Sequence, residues 1–341
     1  MKVRWATIFL ILGLAALSVQ AAPKKEIIRV GYFPNITHAQ AVIGMADGTF
    51  QKVLGNDIEI RKFIFNAGPS VIEAMFARQL DLAYIGPNPA INGYLKTNGA
   101  LLKIISGAAS GGAALVVRSD LKVKNIKQLA GKKIASPQLG NTQDIALRSY
   151  LKSQGMKLRE QGGDVTVLPI PNPDQLNLFL KKEIDAAWTV EPWVTRLVEE
   201  AGGVVLLDER TLWPEGMFVT AHIIATQDYL KKKPQIIKKW LQAHVLITQR
   251  INRDKTKAAK NLIQELQKLT GSPLPEKTIQ RAFANLDLTY EPLAHSLYVS
   301  AERAYDLGFL GKKKPDLSKI YDLRLLNEVL RELKLPPVKT E

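Results

Sequence analysis

Four short segments concentrate groups able to hold a small solute. They are Pro34-Asn35-Ile36-Thr37-His38, Asn66-Ala67-Gly68-Pro69-Ser70, Gly86-Pro87-Asn88-Pro89 and Pro137-Gln138-Leu139-Gly140-Asn141-Thr142-Gln143. Each follows an apolar run and leads into an amphipathic one. A turn of that kind opens a helix, whose first N–H groups have no partner within the helix and whose dipole favours negative charge. Asn35, Thr37, His38, Ser70, Asn88, Asn141, Thr142 and Gln143 add side-chain donors, Gly68, Gly86 and Gly140 admit close backbone approach, and Pro69 and Pro87 suit a first helical position. Facing one crevice, these turns make an anion site that needs no lysine or arginine. Helix capping is the readier reading of any single turn, but capping does not require glycine beside the cap so often.

Glu191, between an apolar run and Pro192, is read either as a cap favoured by the helix dipole or as an acceptor for a ligand ammonium or hydroxyl. His38 is either a donor to the solute or a cap or core residue. His222, His244 and His295 show no mutual pairing, so no metal site is expected, and His222 falls in a predicted strand. Trp188, Trp193, Trp213 and Phe218 read mainly as core. There is no Gly-x-Ser-x-Gly, His-Glu-x-x-His or P-loop pattern, so catalysis and a cofactor are not expected.

The elements that must position these turns alternate. Strands are predicted at 27–32, 58–65, 82–85, 102–105, 113–117, 133–135, 165–169, 186–190, 204–207 and 219–225. Helices are predicted between them at 39–50, 71–78, 90–96, 142–154, 173–181 and 192–201. That order means α/β units with mostly parallel sheets flanked by helices, and ligands of such sheets bind at the strands' carboxyl ends. Beyond Asp228 the period becomes 3.6 throughout, predicting an all-helical C-terminal extension over 234–252, 255–270, 276–285, 291–307 and 317–333.

The chain has 341 residues and no cysteine, which excludes disulfides and thiolate chemistry. Its length suits two domains. Its formal charge of +15 fits anionic partners. Residues 1–21 carry Lys2 and Arg4, an apolar stretch over 6–17 and small residues before Ala21, the pattern of a signal peptide cleaved after Ala21. The expectation is export to a periplasm without a lipid anchor, which weighs against nucleic acid as the partner.

The segments 31–41, 65–69 with Glu73-Ala74, 80–90, 140–144 and 185–193 together resemble the nitrate/sulfonate/taurine type of periplasmic solute-binding protein. The resemblance covers about residues 27 to 225. It implies a type II periplasmic-binding-protein fold, with lobe 1 over 22–112 plus 221–341 and lobe 2 over 113–220. It further implies that a monomer closes on a small anion, an aliphatic sulfonate or taurine first and nitrate or bicarbonate next, and delivers it to an ABC permease of the inner membrane. The chain would cross between lobes at Gly111 and Gly112, beside Ser110 as a further candidate contact, and again at Val219 and Thr220. Gly111-Gly112 is equally readable as a tight turn. The alternatives are a neutral heterocycle such as a thiamine precursor as the solute, or an enzyme of the same fold of the menaquinone-pathway or thiamine-pyrimidine type.

Overall fold

The computed structural model describes residues 25–271 and 274–340; the expected signal peptide lies outside them. The first half begins as alternation predicts: β1 (Glu26–Tyr32), α1 (Ala39–Ala46), α2 (Thr49–Leu54), β2 (Ile58–Ile64), α3 (Gly68–Phe76), β3 (Leu82–Ile85), α4 (Pro87–Lys96) and β4 (Leu102–Gly111). The single helix expected over 39–50 is two. Gly48 between them sits at φ +73°, a left-handed conformation that interrupts a right-handed helix.

A second α/β body follows: β5 (Ala113–Arg118), β6 (Lys133–Ser136), α5 (Thr142–Ser153), β7 (Thr166–Pro169), α6 (Asn172–Leu180), β8 (Ala186–Val190), α7 (Trp193–Ala201) and β9 (Gly203–Asp208). The chain then returns through β10 (Val219–Thr226), α8 (Gln227–Lys232), α9 (Pro234–Arg253), α10 (Lys255–Thr270), α11 (Glu276–Ala284), β11 (Leu286–Leu288), α12 (Ala294–Asp306) and α13 (Arg324–Glu332).

Two sheets result, ordered β11-β4-β10-β3-β1-β2 and β7-β6-β8-β5-β9. β1, β2 and β3 are mutually parallel, and β10 enters antiparallel between β3 and β4. In the second sheet β6, β7 and β8 are parallel while β5 runs against β8 and β9. The parallel strands are the ones whose carboxyl ends meet, so each sheet presents its βα turns to the other.

The C-terminal region is not all helical: β11 adds an edge strand beside β4 through Leu286–Gly111 and Leu288–Ala109 pairs. The helix expected over 317–333 begins only at Arg324, because Ile320 and Asp322 in the segment before it are held by backbone hydrogen bonds with Ile104 of β4. The helix expected from 291 begins at Ala294, after Pro292 and a left-handed Leu293 at φ +48°.

Apolar faces of α1, α2, α9, α10 and α13 cover one face of the first sheet around Ile28, Val30, Phe50, Trp240, Leu262 and Leu330. A separate core under β5, β6 and β8 holds Leu115, Ile134, Leu147 and Trp188. Gly112 alone separates β4 from β5, and Gly111 and Gly112 hold φ of +74° and +73°, which only glycine adopts without strain. The return crossing ends earlier than expected. Val219 and Thr220 belong to β10, where Val219 already pairs with Ser110 of the first sheet, so the connection is the segment 209–218.

Candidate functional site

The turns after β1, β2 and β3 and those after β6, β7 and β8 face one another. Between them lies a small cavity lined by Phe33, Asn35, Thr37, His38, Asn66, Gly86, Asn141, Thr142, Gln143, Asn172, Val190 and Thr220. It encloses about 20 Å³, little more than one water needs. Among the described residues, no Lys, Arg, Asp or Glu lines it.

The polarity of several lining groups is fixed by their other partners. Phe33 N–H donates to His38 Nδ1 at 3.1 Å, and the two rings stack at 4.4 Å. Burial lowers the His38 pKa to about 3, so the imidazole is neutral and its one proton sits on Nε2. Trp193 Nε1–H donates to Asn35 Oδ1 at 3.1 Å, and Thr189 Oγ1–H donates to Asn172 Oδ1 at 3.0 Å. With their acceptors engaged, Asn35, His38 and Asn172 offer donors to the cavity. Thr142 Oγ1 is buried with no hydrogen-bond partner. It points across the lobes to Gly86, where an added Cβ would stand 2.3 Å from it.

The four helix-opening turns are not equivalent. Proline has no N–H, so Pro87 and Pro89 strip α4 of two first-turn donors, and Pro69 removes one from α3. α5 keeps its full first turn, and its N-cap Asn141 makes no side-chain bond to the helix. Asp144 in that turn is spent internally: it accepts from Ser136 Oγ at 2.7 Å, Gly140 N at 2.9 Å and Arg148 Nε at 3.0 Å. This pairing cancels the buried carboxylate's charge and holds the turn in shape. Of α3, α4 and α5, the last keeps the most first-turn N–H groups for a solute.

Of the residues expected at the site, Asn35, Thr37, His38, Gly86, Asn141, Thr142 and Gln143 line the cavity. The others do other work. Gly68 packs on Pro89, with room for no Cβ, and Pro69 and Ser70 continue that helix start outside the lining. Pro87 likewise lies outside. Asn88 donates to the Ser300 carbonyl of α12 at 3.2 Å. Ser110 is held in the β4 ladder, and Gly140 faces Phe309.

Glu191 is fully buried and accepts from Thr195 N at 3.1 Å, Thr195 Oγ1 at 2.9 Å and Asn285 Nδ2 at 2.6 Å. It therefore caps α7 and ties β8 to the end of α11, and it is not among the residues that line the cavity. Burial raises its pKa.

Phe33, Asn66, Asn172 and Val190 line the cavity without having been singled out as solute contacts, and so does Thr220, which was expected only at the crossing between lobes. Phe33 and Asn66 were within reach, because they adjoin two of the four turns. Asn172 gave a signal too, as an Asn opening a helix after the strand predicted at 165–169.

Further bonds cross between the two bodies. Ile36 N–H donates to the Glu191 carbonyl at 3.2 Å and Arg281 Nη1 to Glu199 Oε1 at 2.6 Å; Thr278 also donates to Glu199. Lys152 Nζ donates to the Asp306 carbonyl at 2.8 Å, and the Arg303 guanidinium lies 4.2 Å from the Trp213 ring centroid. The cavity is thus closed by contacts on several sides. Among the described residues no helix is long and apolar enough to cross a membrane, and no cluster of metal-ligating side chains occurs.

The profile of the NMT1-like family matches residues 21–266. A binding protein of Brucella abortus (strain 2308) is 30% identical over 216 residues, 63% of each chain, so the match spans less than two thirds of that relative. The aliphatic sulfonates-binding protein of Escherichia coli (strain K12) is 24% identical over 233 residues, 67% of each. Among solved structures, the periplasmic nitrate-binding protein of Synechocystis PCC 6803 superposes with a TM-score of 0.76 at 18% identity, covering 92% of this chain and 91% of that one. The alkanesulfonate-binding protein of Xanthomonas axonopodis pv. citri, bound to MOPS, superposes at 0.72 and 19% identity, covering 86% and 97%. The architecture is the two-lobed periplasmic-binding-protein fold.

Proposed function

The chain belongs to the NMT1-like family, and from that membership and the cavity we propose that it is the periplasmic solute-binding component of an ABC importer, taking a small oxyanion-bearing solute between its lobes. The observation that carries this reading is the donor polarity of the cavity. The one acceptor of His38 is taken by Phe33 N–H, and the amide oxygens of Asn35 and Asn172 are turned to protein donors; the open N-terminus of α5 adds backbone N–H groups and a favourable dipole. Such a lining suits a weakly basic monoanion whose periphery is all acceptors.

Simple alkanesulfonates and nitrate meet that description, and bicarbonate less well because its hydroxyl is a donor. Taurine falls behind them, since no carboxylate faces the cavity to receive its ammonium. A neutral ring with N–H donors, such as a thiamine precursor, meets the wrong polarity in the same place. In this reading Gly111-Gly112 and the segment 209–218 are the hinge. The lobes divide at Gly112 and just before Val219, and the export signal ends at Ala21.

The test is thermal unfolding of the chain from Ala22 onward, refolded to strip any carried ligand, against sulfonates, taurine, nitrate, bicarbonate and thiamine precursors. A solute at 100 times its dissociation constant adds about 2.7 kcal/mol of stability. Stabilisation by acceptor-only anions supports the reading; stabilisation by neutral heterocycles alone overturns it.

A further inference from the structure

We propose that Trp193 is a positioning residue that makes the solute site polarity-selective only when the lobes are shut. The inference rests on the oxyanion reading of the cavity.

An asparagine amide presents C=O or NH₂ to a ligand according to which way it is turned, and the two forms have nearly the same shape. At Asn35 the choice is made from the opposite lobe. Trp193, the first residue of α7, has a donor-only indole N–H and places it 3.1 Å from Asn35 Oδ1. Turning the amide over would set NH₂ against N–H in a site where both residues are buried, leaving two donors without acceptors. The indole is itself held in plane: the Arg196 guanidinium lies 4.9 Å from its ring centroid and is fixed by Glu200 at 2.7 Å. Beside it the Ile36 N–H to Glu191 carbonyl bond joins the same two chain segments.

Because Asn35 and Trp193 belong to different lobes, the bond exists only in the shut form. In the open form Asn35 is free to turn either face to an arriving solute; on closure it becomes a donor. A solute with an acceptor at that point keeps the interlobe bond and favours closure. A solute with a donor there must break it. The energy of closing is thereby coupled to the hydrogen-bond polarity of the solute.

The experiment compares probes matched in shape and opposed in polarity: methanesulfonate with methanesulfonamide, and nitrate with urea, by calorimetry on the refolded chain from Ala22. The wild type is expected to prefer the acceptor-only member of a pair. Trp193→Phe should weaken that member about tenfold, and should narrow the preference within the pair by a similar factor because Asn35 can now turn over. Equal weakening of both members, or no weakening, overturns the positioning role and leaves the oxyanion reading standing.

Asn35→Asp supplies a second variant of nearly the same shape. Its carboxylate still accepts from Trp193 but turns an acceptor to the cavity, so binding of the anion should fall by more than tenfold with the melting temperature of the free chain unchanged. Undiminished anion binding in this variant also overturns the proposal. A wild type that prefers the donor-bearing probes, or takes none of the four, removes the oxyanion reading itself and this inference with it.

Discussion

Acidification should destabilise this protein, and the size of the effect follows mainly from four buried groups with large shifts, Glu191 being raised in the same direction as Glu209. Burial lowers the imidazoles of His38, His222 and His244 to about 3, 4 and 4, from an ordinary value of 6.5. The unfolded chain takes up these protons as pH falls through 6.5 while the folded chain does not, so the contribution to stability is present above that value and lost below it. Between pH 7 and pH 5 each histidine costs roughly 2 kcal/mol, or about 6 kcal/mol together.

Glu209 opposes them. It is buried and accepts from the indoles of Trp188 and Trp213, and burial pushes its pKa up to about 7 from 4.5. Here the folded chain holds the extra proton, which returns about 2 kcal/mol over the same interval. The net loss is about 4 kcal/mol, corresponding to a fall in melting temperature of about 6 °C for a chain of this length. Calorimetric melts at pH 7 and pH 5 and constant ionic strength measure it. Glu209→Gln removes the opposing contribution, so its fall should be steeper, about 9 °C by the same conversion. A melting temperature that holds or rises at pH 5, or a variant that falls no further than the wild type, would refute the assignment of these groups as neutral and buried.

Three variants probe the cavity and its closure. Thr142→Val removes a buried hydroxyl that has no protein partner; anion affinity should drop about tenfold, the worth of one hydrogen bond, while the free chain melts no lower, and unchanged affinity by calorimetry removes Thr142 from the site. Gly86→Ala places a Cβ 2.3 Å from Thr142 Oγ1, so closure should be impaired, with weakened binding and a larger radius of gyration in solution scattering when solute is present; wild-type compaction would refute the contact. Glu199→Gln loosens the bonds from Arg281 and Thr278 that fasten α7 to α11. Because Arg281 is largely exposed, the expected loss is no more than about 1 kcal/mol, read as a few-fold weaker binding that added salt reproduces in the wild type.

What the sequence made legible was periodicity and punctuation. The alternation of β-branched runs with amphipathic ones located most helices and strands within a few residues from β1 to β10, although β4 runs on to Gly111 past the strand expected at 102–105 and the helix expected at 39–50 is two; the turns that line the cavity stood out because each joins a strand end to a helix start. Local patterns could also have ranked those turns: Pro87, Pro89 and Pro69 advertise missing N–H groups, which leaves α5 as the helix with donors to spare. Misplaced boundaries came where pairing over distance overrides local preference. The segment before Arg324 has helical periodicity, yet Ile104 draws it into backbone bonds with β4. Leu286–Leu288 becomes an edge strand because β4 has a free side there. Glu191 shows the same limit at the site: nothing nearby in sequence announces Asn285 as its partner. The hydrogen-bond polarity of the cavity lies furthest from sequence reading, because an amide or imidazole is donor or acceptor according to what occupies its other end. For Asn35 that occupant is 158 residues away, on the opposite lobe. A composition-level account of the four turns therefore finds a polar cleft, and only the assembled partners turn it into a cleft of donors.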